Sequence, residues 1–145
     1  MFHIRARNTH LMPRATSHPR RTELIAANLL LLVLLVVHTL DHTLRQTAAV
    51  PAEAAFAGTA GFVAAAGALF LALAGNRLAA LATAFVGFIT AAGFVAIHVF
   101  PEWSVFSQPY ADIDVDGLSW TAMLVPALAA AGVGALGLSR LTHNA

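Results

Sequence analysis

Residues 24–45 read Leu-Ile-Ala-Ala-Asn-Leu-Leu-Leu-Leu-Val-Leu-Leu-Val-Val-His-Thr-Leu-Asp-His-Thr-Leu-Arg. As a helix, this run is long and apolar enough to cross the roughly 30 Å of hydrocarbon in a bilayer. Its last third nevertheless carries four ionisable side chains, His38, Asp41, His42 and Arg45. At 3.6 residues per turn these positions fall within an arc of about 100° and climb about 10 Å along one helix face. Ionisable groups inside a span face the protein interior or a wet cavity and pair with one another, so the stripe marks a candidate functional site.

The rest of the chain places this stripe in a membrane protein. Of 145 residues, 59% are hydrophobic and 10% charged, and the mean hydropathy is +0.75. Soluble domains carry about a quarter charged residues, so the composition belongs to another class. Apolar segments at about 24–45, 54–75, 78–100 and 118–140 are each span-length. The expected fold is an all-α membrane protein, a four-transmembrane-helix bundle over residues 23–145. A disordered basic tail, residues 1–22, precedes it. Met12 is a second candidate initiator within that tail. Arg20-Arg21 ahead of an apolar run resembles a twin-arginine signal, but the run is span-length rather than signal-length and is expected to be retained.

Basic residues orient the spans. Arg5, Arg7, Arg14, Arg20 and Arg21 precede the first span, Arg77 follows the second and Arg140 ends the fourth. An even number of spans puts all seven on one side, which the positive-inside rule makes cytoplasmic. Only Arg45 lies opposite. Both termini are therefore expected inside a plasma membrane, with the 101–117 loop outside.

Short connections make spans one, two and three adjacent antiparallel neighbours. Gly75-Asn76-Arg77 is a helix-stop signal, and Pro101 ends span three. Pro126 should kink span four unless a neighbour satisfies the carbonyl it frees. Small residues recur at four-residue spacing in Thr83, Gly87, Ala91 and in Ala130, Gly134, with further glycines at 58, 61, 67 and 137. Such spacing lets backbones approach closely in lipid, within a bundle or between copies of a homo-oligomer.

Topology adds a second part to the stripe. Spans one and three run in the same direction, which brings His98 to the level of His38 and His42. Two histidines at i and i+4 project from one helix face. Asp41 could coordinate through oxygen or accept a ring N–H, and His98 would be the third ligand. The chain has no cysteine, which excludes disulfides, thiolate ligands and covalent haem attachment through thiols. Imidazole and carboxylate ligands suit a transition metal such as zinc, iron, copper or nickel. Ligation of a haem by two histidines is the redox version. Glu102, just beyond His98, and Arg45, four residues after Asp41, complete the candidate polar network. The non-metal reading pairs Asp41 with Arg45 and lets the histidines stabilise the bundle.

Other chemistries lack a handle. There is no P-loop, GxGxxG, GxSxG or HExxH, and no nucleic-acid partner is expected. Asp112-Ile113-Asp114-Val115-Asp116-Gly117 starts like a calcium loop, but position 123, where a bidentate glutamate is required, is Met123. A polar turn leading into span four is the better reading. The sequence thus points to a metal or haem centre on the outer side, serving redox or metal handling. The alternatives are an accessory or scaffolding subunit of a larger membrane complex, and a small oligomeric transporter.

Overall fold

A computed structural model describes residues 18–142. They form four helices: α1 (His18–Leu44), α2 (Ala52–Leu73), α3 (Ala79–His98) and α4 (Gly117–Thr142). There is no strand among the described residues. All four helices are long and apolar enough to cross a membrane. Their unpartnered faces carry large apolar side chains such as Leu30, Val33, Val63, Phe70, Phe85, Ile89 and Leu128, all exposed on the bundle surface. In water such a belt would be an aggregation hazard, whereas lipid tails are its natural surroundings.

Of the tail expected over residues 1–22, residues 1–17 lie outside the described residues. From His18 the chain is already helical. Hydropathy marks where hydrocarbon begins rather than where backbone hydrogen bonding begins. Pro19 fits the first turn, where its missing N–H would have had no helical partner. The polar turn is also anchored from outside. Arg21 donates through Nε to the Ala72 carbonyl at 3.2 Å and also to the Leu73 carbonyl, so a cation covers the carbonyl end of α2. Glu23 pairs with Arg140 on α4.

The helix ends follow local chemistry. Gly75 adopts φ +63°, a left-handed conformation that costs glycine little. It lets Gly75 N–H reach Ala72 O at 3.1 Å and Asn76 N–H reach Leu71 O at 2.9 Å, closing α2 as a Schellman motif. At α4 the Asp116 carboxylate accepts from the N–H groups of Leu118 (3.0 Å) and Ser119 (2.9 Å). It is therefore an N-cap. Asp112 and Asp114 stay exposed, so the acidic run is a polar turn.

Each helix packs on two neighbours, α1 and α3 both lying against α2 and α4, with α1 and α3 meeting narrowly across the centre. The most extensive contact is α3 with α4, and glycine makes it possible. A Cβ on Gly87 would stand 2.3 Å from Gly134 N, and one on Gly137 would stand 2.4 Å from Ala84 N. The backbones touch, as the four-residue spacing predicts. Gly58, Gly61 and Gly67 behave differently. A Cβ on any of them would meet nothing within 4 Å, so the α2 glycines contribute no close packing inside the bundle.

The core between the helices holds Leu31, Ala65, Met123 and Ala130, all fully buried. α4 runs unbroken through Pro126, which is also buried. One polar pair crosses the centre: Asn28 Nδ2 donates to Thr83 Oγ1 and to Leu24 O, both at 2.8 Å.

Candidate metal centre

α1 and α3 are parallel, and their C-terminal ends share one end of the bundle with the N-termini of α2 and α4. There the diagonal between α1 and α3 is bridged by imidazoles. His38 and His42 lie one turn apart on α1, and His98 is the last residue of α3. Ring centroids are separated by 4.6 Å for His38 and His42, 5.2 Å for His38 and His98, and 5.4 Å for His42 and His98. One ring nitrogen from each histidine lies within 4.8 Å of one from each of the others. His98 is buried and the two α1 histidines are half-buried. Phe94, one turn before His98, closes the inner side with its ring 4.7 Å from that of His38.

The loop after α3 forms the roof. Pro101 turns the chain outward, and it then folds back over the end of α3. Gln108 N–H donates to Ile97 O and Tyr110 N–H to His98 O, both at 2.9 Å. This register buries Tyr110 to 2% exposure directly over the histidines. Its ring lies 4.6 Å from that of His98 and 5.4 Å from that of Trp120 on α4. Burial pushes the Tyr110 phenol up to about 12, the nearby Asp41 charge acting in the same direction.

Two of the imidazoles are held by neutral partners. His98 Nδ1 sits 3.2 Å from Gln108 O, a carbonyl that can only accept, so Nδ1 carries the proton and Nε2 keeps its lone pair. His42 Nε2 lies 3.2 Å from the Tyr110 hydroxyl, while its Nδ1 is buried without a partner. His38 Nδ1 is likewise buried without a partner. His98 and His42 thus each commit one ring nitrogen to the protein, while His38 and His42 each keep a buried one over. Metal-ligating histidines are oriented in the same way.

Asp41 does not join this cluster. Its carboxylate accepts from Arg45 Nε (2.9 Å), Ser119 Oγ (3.1 Å) and Gln46 Nε2 (2.8 Å). Arg45 also bonds Asp116 at 2.6 Å. Asp116 raises the Arg45 guanidinium further above its ordinary value, and the Ser119 N–H, with Arg45, holds Asp116 below the usual carboxylate range. The pairing of Asp41 with Arg45 expected from their i, i+4 spacing is present. The expected bond from Asp41 to a histidine is replaced by a bridge, in which Gln46 Nε2 donates both to Asp41 and to Tyr110 Oη at 2.9 Å. Glu102 is exposed and stands outside both groups, because Pro101 has already turned the chain away from α3.

Sequence reasoning therefore found the three imidazoles and missed Gln46, Gln108, Tyr110 and Ser119. No family model, curated protein or solved structure matches the chain.

Proposed function

We propose that this chain is a multi-pass plasma-membrane protein that holds one transition-metal ion between His38, His42 and His98, near the outer surface, for metal handling or redox chemistry. The observation that supports this reading most is that one ring nitrogen of each histidine lies within 4.8 Å of one from each of the others, while His38 Nδ1 and His42 Nδ1 are buried with no protein partner. Zinc, copper, iron and nickel all accept such a nitrogen set. Two ligands on a tetrahedral ion stand about 3.4 Å apart at a metal–nitrogen distance near 2.1 Å, so the rings close inward by about 1 Å on binding. Both termini lie in the cytoplasm on this reading, because the seven arginines away from the site then share that side.

A single ion suits the site better than haem. The rings touch one another, Phe94 and Tyr110 directly, leaving no slot for a macrocycle between them. A groove of about 470 Å³ between α1 and α4 is lined by residues that include Leu34, Val37, Leu40 and Val125, and no histidine borders it.

The rival is an accessory subunit in which the polar end only holds helices together, and the Asp41 network supports it by tying α1 to α4. Metal analysis separates the two. Purified wild-type protein, expressed with zinc, iron and copper supplied, should carry close to one transition metal per chain, and His98→Ala should lose it while keeping a cooperative thermal transition. Wild type without metal would overturn the metal reading and leave the accessory one.

A further inference from the structure

The proposed ion site has an unusual charge balance, and this carries the proposal above one step further, resting on it. Ligating imidazoles are neutral, and the groups seen behind them, the Gln108 carbonyl and the Tyr110 phenol, are neutral as well. The nearest carboxylate, Asp41, directs its oxygens to Arg45, Ser119 and Gln46, and Glu102 is exposed. A divalent ion on three imidazoles would therefore receive no charged ligand at the edge of a low-dielectric bundle; the Asp41 charge reaches the cluster only through space and is shared with Arg45. Uncompensated charge there is strongly disfavoured.

Three protein ligands also leave one position of a tetrahedral ion open, the arrangement of metal sites that bind an exchangeable ligand rather than of closed structural ones. His38 and His42 are half-buried as residues, with their Nδ1 atoms covered, so an anion enters as the rings move to take the ion. We infer that the fourth position is taken by a small monovalent anion from the surroundings, which makes the centre a site for small anions as well as for the metal. Anion and metal then bind as a unit, each lowering the cost of the other.

The test uses cobalt(II) as the metal and azide as the anion. The full-length protein in detergent, loaded with cobalt, should show visible ligand-field bands that shift saturably on azide addition, with one azide per cobalt. His98→Ala should give no such bands. If wild type binds cobalt and azide leaves the spectrum unchanged, the anion proposal is overturned while the metal site stands. A Tyr110→Phe variant that then gained the azide response would identify the phenol oxygen as the fourth ligand. Failure of wild type to bind cobalt would overturn the metal site itself, and the anion proposal with it.

Discussion

Two regions of this bundle solve the problem of helix contact in opposite ways. Along the α3–α4 seam side chains are removed, and Gly87, Gly134 and Gly137 let backbone meet backbone. At the end of the α1–α3 diagonal the space is filled with rings, Phe94, His38, His42, His98 and Tyr110 standing edge to face. In lipid no hydrophobic force draws apolar helices together, so close van der Waals contact and interhelical hydrogen bonds must do it. The seam uses the first. The ring cluster adds the second, and leaves ring nitrogens over once its hydrogen bonds are made. A buried atom without a partner also occurs in the core, at Asn28 Oδ1; what sets the ring cluster apart is that three imidazoles bring a nitrogen each within 4.8 Å of the others.

The largest expected effect tests the seam. Gly87→Leu places a side chain where even a Cβ would lie 2.3 Å from backbone. Overpacking against backbone that cannot relax should cost at least about 3 kcal/mol, and the variant should be recovered aggregated from detergent. Gly61→Leu on α2 enters open space and should match wild type in a thermal-aggregation assay. Equal loss in the two variants would show that the open face of α2 is packed against something else, such as a second copy.

Next comes the ring cluster. Tyr110→Phe keeps the ring contacts with His98 and Trp120 but removes the hydroxyl held by His42 and Gln46. Loss of a partner that orients a ligating imidazole typically costs 10- to 100-fold in metal affinity, and a competition titration with a chelator should read a weakening of about that size. Unchanged affinity would mean that the hydroxyl does not orient His42.

These two regions were unequally legible in the sequence. The seam was visible because close approach needs only small residues at a fixed spacing on each helix, and a local pattern is what a sequence displays. The four long apolar helices were visible for the same reason, and their bounds lie within a few residues of the expected ones except at α1, where His18 to Glu23 extend the helix beyond the apolar run. The histidines were half visible. Their periodicity put His38 and His42 on one face, and antiparallel topology raised His98 to their level. Their partners were not visible, because Tyr110 and Gln108 reach the site through a loop that folds back on α3, and Ser119 through the entry angle of α4. Glu102 failed for the converse reason: nearness to His98 in the chain says little once a proline redirects it.

The Asp41 network should respond at an intermediate level. Asp41→Ala leaves the Ser119 hydroxyl and the Gln46 amide without their acceptor, which costs about 2 kcal/mol for buried donors. Removing Arg45 as well should recover part of the loss, since the guanidinium is then no longer left without its pair. Asp41→Asn should retain metal, because Asp41 is not placed as a ligand. Loss of metal in that variant would return the carboxylate to the site.

A smaller effect is read from pH. Tyr110 is the only tyrosine of the chain, so phenolate absorbance reports it alone. It should ionise near 12 in the folded protein and near its ordinary value of 10 when unfolded. The folded state then holds the proton more tightly, so this contribution to stability is complete below pH 10 and is lost as the pH rises towards 12. Ionisation near 10 in the native protein would place the ring in water, and the roof over the histidines would have to be redrawn.

The smallest effect belongs to the exposed edge of the network. Asp116 caps α4 through one oxygen and pairs with Arg45 through the other, and both partners of that pair are well exposed. Asp116→Asn keeps an oxygen for the cap and loses only the charge. Because exposed pairs are screened by solvent and salt, its melting temperature should stay close to that of wild type. Asp116→Ala loses the cap as well and should melt slightly lower. Neither variant should change metal occupancy, since the link from this network to the histidines runs through Gln46 and Tyr110 rather than through Arg45. If Asp116→Asn melted as low as Asp41→Ala, the carboxylates and the arginine would be acting as one unit. The boundary between a solvated edge and a buried centre would then lie outside Asp116 rather than between it and Asp41.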